Sequence, residues 1–175
     1  MKKLIFGLVL LALLAAVVMQ QQPKSTSQTL PELPKFTVGN VTAFEIKMNQ
    51  ENAIKATRDG ETWLLTEPEQ PTPVKAVVVG QLLSDLSNMQ PKRVASHNPE
   101  HHARFSVADT DASVQLYNAD GEVILHLMVG KPATDLVSTY VRLAGDDMVV
   151  TVDKTLTWQV KRTKEAWLVE EKDSE

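Results

Sequence analysis

Thr72-Pro73-Val74-Lys75-Ala76-Val77-Val78-Val79-Gly80-Gln81-Leu82-Leu83-Ser84-Asp85-Leu86-Ser87-Asn88-Met89 is the stretch that decides the fold of this chain. Val74, Val77, Val78, Leu82, Leu86 and Met89 recur at steps of three and four, which places them on one face of an α-helix. Val79 and Leu83 widen that face beyond a single stripe, so the helix is expected to lie across a sheet. Thr72 can cap the amino end and Pro73 suits the first helical position, where its missing N–H would be unpaired anyway. Pro91 stops the helix just past Met89. Gly80 costs about 1 kcal/mol against alanine in mid-helix.

Upstream of this helix the apolar period is two. Phe44, Ile46 and Met48 alternate with Glu45 and Lys47, the pattern of a half-buried strand. Asn49 to Asn52 supplies turn residues and Ala53 to Arg58 reads as the return strand. Asp59-Gly60 is a hairpin signal, and Trp63 to Thr66 makes a third strand. A proline-rich loop, Glu67 to Pro73, then leads into the helix.

Downstream, Arg93 to Ser96 reads as a short strand, and Asn98-Pro99 as the cap and first position of a helical turn running to about Arg104. Ala112, Val114 and Leu116 alternate, Asp120-Gly121 turns the chain, and Val123, Leu125, Leu127 and Val129 alternate on the way back. Ser138 to Leu143 and Met148 to Val152 form another pair around Gly145. From Lys154 the chain can again be helical. The two halves share an outline of antiparallel meander followed by helix. The fold class expected is α+β: antiparallel β-meanders packed with one main helix and a C-terminal helical segment, preceded by a single amino-terminal membrane helix.

That membrane helix is expected because Lys2-Lys3 precedes an unbroken apolar run, Leu4 to Met19. Sixteen residues span roughly 24 Å as a helix, short of a hydrocarbon core of about 30 Å. Two details favour an uncleaved anchor over a cleaved signal: no Ala-x-Ala site follows the run, and the lysines can extend the span by snorkelling. The lysines keep the amino end in the cytoplasm and the remainder outside it. Gln20 to Pro34 is polar, with Pro23, Pro31 and Pro34, and reads as a tether. The organisation expected is an anchor or signal segment at 1–21, a tether at 22–40, an exported domain at 41–169 and a charged tail at 170–175. The location expected is a bacterial inner membrane, crossed once, with the domain in the periplasm.

Composition narrows the function classes. The chain has 175 residues, 43% hydrophobic and 23% charged, which suits one globular domain with a short appendage. A net charge of −4 and a pI near 5.6 argue against a nucleic-acid binder. With no cysteine there is no disulfide, thiolate nucleophile, iron–sulfur cluster or lipidated amino-terminal cysteine.

Several segments in order resemble one family. Trp63-Leu64-Leu65-Thr66-Glu67-Pro68 is followed by Gln81-Leu82-Leu83-Ser84-Asp85-Leu86 and Lys92-Arg93-Val94. Then come Val129-Gly130-Lys131, Ser138-Thr139-Tyr140-Val141-Arg142, Val149-Val150-Thr151-Val152-Asp153 and Ala166-Trp167. Over roughly Val41 to Leu168 the chain thus resembles the family called domain of unknown function 4340. The resemblance implies an envelope protein with one amino-terminal membrane helix and an exported α+β domain, often encoded beside an ABC transporter similar to the gliding-motility type. It carries over no catalytic residue. The family tends to have an aromatic-Gly-Leu triplet where this chain has Phe105-Ser106-Val107, which argues against a left-handed turn there.

Candidate chemistry is sparse. His97, His101 and His102 lie close together with Glu100 between them, and His97 and His101 have the four-residue spacing of a helical metal pair. Pro99 breaks that interval and no third ligand follows, so a solvated polar turn is the expectation. His126 is expected on the exposed face of its strand. Asp109, Asp111, Asp146 and Asp147 are acid–base or calcium candidates that turn chemistry explains more cheaply. Gly130-Lys131, followed by Pro132, reads as a turn rather than a phosphate loop, and no hydrolase motif is present. Trp63, Trp158, Trp167, Tyr117 and Tyr140 could stack on a glycan or peptide, although Trp63 in particular suits a core. No catalytic, cofactor-binding or metal-ligating residue is assigned, and no cofactor is expected.

The function expected is a membrane-tethered, exported, non-enzymatic interaction module, in the role of an accessory subunit to an ABC transport system in the inner membrane. Two alternatives stand beside it: an envelope glycan- or peptide-binding protein using aromatics or an open sheet edge, and a hydrolase with a site near His97 to His102.

Overall fold

The computed structural model describes residues 29–48, 53–66 and 71–169. The apolar run from Leu4 to Met19, the tether as far as Gln28 and the charged tail lie outside them. Among the described residues no helix is long and apolar enough to cross a membrane.

Nine strands form one antiparallel sheet: β1 (Ala43–Lys47), β2 (Ala53–Asp59), β3 (Thr62–Leu65), β4 (Thr72–Val74), β5 (Pro91–Ser96), β6 (Ser113–Tyr117), β7 (Val123–Pro132), β8 (Thr139–Leu143) and β9 (Val149–Val152). Their order across the sheet is β4-β3-β2-β1-β6-β7-β8-β9-β5. The expected hairpins are all present, and Gly60, Gly121 and Gly145 take the positive φ that their tight turns need. Among the described residues four α-helices follow the same chain order: α1 (Ala76–Asn88), α2 (His102–Phe105), α3 (Thr157–Val160) and α4 (Lys164–Trp167). The expected α+β class with one main helix is what the chain adopts. Its C-terminal helical segment is broken into two single turns.

The main helix starts later than its sequence pattern suggests. Thr72-Pro73-Val74 forms edge strand β4, with Val74 opposite Trp63 and Pro73 opposite Leu64, so Thr72 is not the cap. An edge strand tolerates the missing proline N–H, and pairing with β3 satisfies more backbone than one extra helical turn would. Lys75 precedes α1, and no side chain caps it. Val79, Leu82, Leu83 and Leu86 are buried, whereas Val77 is 77% exposed and drops out of the face. Pro91 ends the helical region and also opens β5.

β4 and β5 occupy opposite edges of the sheet, and α1 connects them. Eight inter-strand steps would separate those edges by about 38 Å in a flat sheet, while the helix itself rises only about 20 Å. The sheet therefore curls round the helix. One hydrophobic core accordingly collects residues from all nine strands, among them Phe44, Leu65, Val74, Val94, Leu127 and Val152, together with α1 and Trp167. Trp63 and Trp167 flank Phe44 at ring-centroid distances of 5.4 and 5.6 Å. Leu33 and Phe36, from the stretch read as tether, pack on the same core.

A smaller core of Val107, Met128, Ala133, Tyr140 and Val149 is partly covered by Phe105, 4.7 Å from Tyr140 between ring centroids. Here Ser106 adopts φ 58° and ψ 45°. The left-handed turn that serine argued against is present. The carbonyls of Ala103 and His102 accept from the N–H groups of Ser106 and Val107 and hold it there. Gly130 lies within β7 and not in a turn. A β-carbon there would strike the Phe105 carbonyl, so this is a close backbone approach that only glycine permits.

Candidate functional site

Arg142, on β8, is a buried charged side chain, 3% exposed. Its Nε donates to the Val107 carbonyl at 2.8 Å and its Nη1 to the Asp146 carbonyl at 2.9 Å. Nη2 donates to the Asp109 carboxylate. The planar guanidinium fork therefore ties two loops, 107–109 and 143–146, to one strand. Hydrogen bonding and charge from Arg142 hold the Asp109 carboxyl below its usual range. In the sequence Arg142 stands out only as part of the longer motif Ser138 to Arg142. Its β8 neighbours Tyr140 and Val141 are both buried, and an arginine in such a run is the signal that was available.

The histidines do not converge. His101 Nδ1 lies 2.9 Å from Ser96 Oγ, and His102 Nε2 lies 3.0 Å from the Asp147 carbonyl. His97 is exposed. The turn itself is built as its sequence suggests, with Asn98 Oδ1 accepting from the Glu100 N–H at 3.0 Å. Asp111 accepts from the Ala108 N–H, and Asp146 from the Met148 N–H. Among the described residues no three His, Asp or Glu side chains are grouped so as to hold a metal ion.

His126 departs from its expected exposure and is half-buried. The segment carrying Asp109, together with Arg142, lies beside it, and burial, assisted by Lys47 and Arg142, pushes its imidazole below the ordinary value. It faces the outer side of the sheet with Glu45, Lys55, Gln115 and Tyr117. Glu45 sits 3.4 Å from Lys47 and 3.7 Å from Lys55, and the Tyr117 hydroxyl donates to Gln115 at 3.0 Å. Burial and the neighbouring Glu45 raise the Tyr117 phenol above its usual value. A shallow hollow of about 440 Å³ lies here, lined by Ala43, Glu45, Lys55, Tyr117 and Asn118. These are cross-strand polar pairs of the kind that stabilise a solvated sheet face.

The aromatic residues do not form a stacking surface. Trp63, Trp167 and Tyr140 are buried in two separate cores, Tyr117 is half-buried, and Trp158 is 52% exposed at a distant end. The β4 edge is closed in part by the chain's own later residues, while the β5 edge carries residues that disfavour strand addition. At β4 the Val169 N–H donates to the Pro73 carbonyl and the Lys75 N–H to the Trp167 carbonyl. At β5 the pairing is irregular at two points, and the strand carries Pro91, Lys92 and Arg93.

One exposed apolar cluster stands out. Leu136 and Val137, in the loop between β7 and β8, are 77% and 60% exposed, and Trp158 lies across a groove of about 190 Å³ from Leu136. Asp135 organises the loop by accepting from the Val137 and Ser138 N–H groups, the Ser138 hydroxyl and Lys92. Those donors hold its carboxyl far below the usual range. In the sequence this loop carries only a turn signal, Asp135 three residues before Ser138.

No curated protein and no solved structure matches the chain. A family match covers residues 63–171, from the β3 tryptophan to just past α4. It takes in α1, Gly130, Arg142 and Trp167, so by this match the chain belongs to the family described as domain of unknown function (DUF4340).

Proposed function

We propose that this protein is a membrane-tethered, exported interaction module, without catalytic activity, held in a bacterial inner membrane with its domain in the periplasm. In this reading Leu4 to Met19 anchors it once in the bilayer, and its partner is an ABC-type transport complex in the same membrane. The observation that carries the reading is how the chemistry-bearing side chains are spent. His101, His102, Asp109, Asp111 and Asp146 are each bonded to a turn or a strand, so that they brace loops instead of converging on a shared space. A hydrolase or metal site needs such groups aimed at one reacting atom. The packing of Leu33 and Phe36 on the core also supports a domain held close to its tether.

The test is purification of the full chain from mildly solubilised membranes. The expected result is an intact amino terminus by mass spectrometry and a stoichiometric integral-membrane partner. A processed chain recovered from the soluble fraction, free of any partner, would overturn the reading.

A further inference from the structure

We propose that the end of the domain carrying Leu136, Val137 and Trp158 docks on an anionic lipid surface. The proposal relies on the tethered reading for its orientation only.

The apolar groups are presented by a braced loop. Four donors converge on Asp135, and the Leu136 N–H donates to the Ala133 carbonyl at 2.9 Å, which holds Leu136 at φ 60° with its side chain in solvent. A leucine kept in the left-handed region and outside any core has no folding role that explains it. Trp158 completes the surface. Its Nε1 donates to Thr155 and the Arg162 guanidinium lies 4.3 Å from its ring centroid, so an apolar ring is flanked by polar and cationic groups. Tryptophan in that setting suits the boundary between acyl chains and head groups.

The charge at this end opposes that of the whole chain. Lys92 is paired with Asp135 and Lys154 lies 3.9 Å from Asp153. Lys35 and Glu32, on the segment against Pro91, offset each other, and the further cations of this end include Arg93 near Asp135, Lys161, which lines the groove, Lys131, next to Pro132, and Arg162 over Trp158. A protein of net charge −4 thus presents an apolar loop rimmed by positive charge, the complement of an anionic leaflet.

The position of the tether points the same way. Pro91 pairs with Val152, Val152 with Thr139 and Thr139 with Pro132, so these four residues share one end of the sheet with the loop. Residues 31–36 lie against Leu86, Met89 and Pro91 at that same end. Gln20 to Gln28, the residues between the apolar run and the described chain, reach at most about 30 Å when fully extended. An anchored chain therefore keeps this end of the domain facing its own bilayer.

The experiment uses the full chain reconstituted in phosphatidylcholine vesicles with brominated acyl chains, with and without phosphatidylglycerol. Trp63 and Trp167 are buried and the apolar run contains no tryptophan, so lipid quenching of fluorescence reads Trp158. Quenching is expected in anionic vesicles, absent in Trp158→Phe, and lost in Leu136→Ser/Val137→Ser. Each of Lys131→Gln and Lys161→Gln should weaken it by about fivefold, the value of one juxtamembrane charge. An alkaline carbonate wash reads the tether separately. Chain retained by the wash but with Trp158 unquenched overturns docking and leaves the tether standing. Chain stripped by the wash but quenched beforehand does the reverse. Equal quenching in neutral lipid overturns the electrostatic argument, and a photo-crosslinker at position 136 that captures a protein in cells instead of lipid overturns the assignment to lipid.

Discussion

The main-chain carbonyl of Phe105 rests directly on the α-carbon of Gly130. A β-carbon at position 130 would collide with it and would also lie 2.8 Å from Val107 Cγ1 and 3.0 Å from the Tyr140 carbonyl. Two of these three obstacles are backbone, which has no rotamer to change. Gly130→Ala should therefore cost about 3 kcal/mol, at the upper end of overpacking penalties. Urea unfolding of the purified full chain measures it, and a change below about 0.5 kcal/mol would show that the loop yields freely.

Ser106→Gly should behave oppositely. The left-handed conformation of Ser106 carries a steric cost that glycine lacks, offset in part by the greater freedom of glycine in the unfolded chain. The net expectation is a gain of up to about 1 kcal/mol in the same unfolding measurement.

Along α1, Leu82→Ala and Leu86→Ala should each cost about 2–5 kcal/mol, because both side chains are fully enclosed. Val77→Ser should change stability by less than about 0.5 kcal/mol, since Val77 is open to solvent. Equal losses at positions 77 and 82 would mean that the helix is rotated.

Arg142→Leu should be among the most damaging single changes outside the main core. It leaves the Val107 and Asp146 carbonyls without their donor, each at about 1–3 kcal/mol where water cannot replace it. Asp109→Asn should cost much less, because the Asp109 side chain is largely in solvent and both carbonyl bonds survive. Thermal unfolding of the two variants side by side should rank them in that order.

His126 sets an acid-side weakness. Its folded imidazole binds a proton less readily than the ordinary value of 6.5. The unfolded chain therefore takes up the proton first, and stability falls as pH drops below that value, levelling once the folded imidazole is protonated too. Melting temperatures of the full chain should decline between about pH 7 and pH 5.5, and the decline should be shallower in His126→Gln. An unchanged slope in the variant would assign the loss to other groups.

Strand periods of two and the Asp59-Gly60 and Asp120-Gly121 signals placed the meanders correctly, because each depends on neighbours in sequence. The start of α1 was misread because Thr72-Pro73-Val74 satisfies two templates. Trp63 and Leu64, across the sheet, decide between a capped first turn and an edge strand. Gly130 was misread for a related reason. Gly-Lys-Pro carries turn residues, and only the Phe105 carbonyl, distant in sequence, gives the glycine its purpose. For the candidate sites, Pro99 argued against a continuous helix through His97 and His101, and the chain there forms a 3-10 turn that begins at Pro99. The exposure of Leu136, Val137 and Trp158 was not legible, since apolar residues look alike in sequence whether they face a core or solvent.

The contact between Phe44 and Trp167 carries a consequence for how the chain is made. The first strand and the last helix meet in one aromatic cluster, and Trp167 to Val169 also close the hydrogen bonding of the β4 edge. A nascent chain emerging from its amino end can pair β1 with β2 early, but the surface of Phe44 stays without this partner until Trp167 has been synthesised. Carboxy-terminal truncation before Trp167 should leave a species that is bound by chaperones and cleared by proteases, however complete its strands.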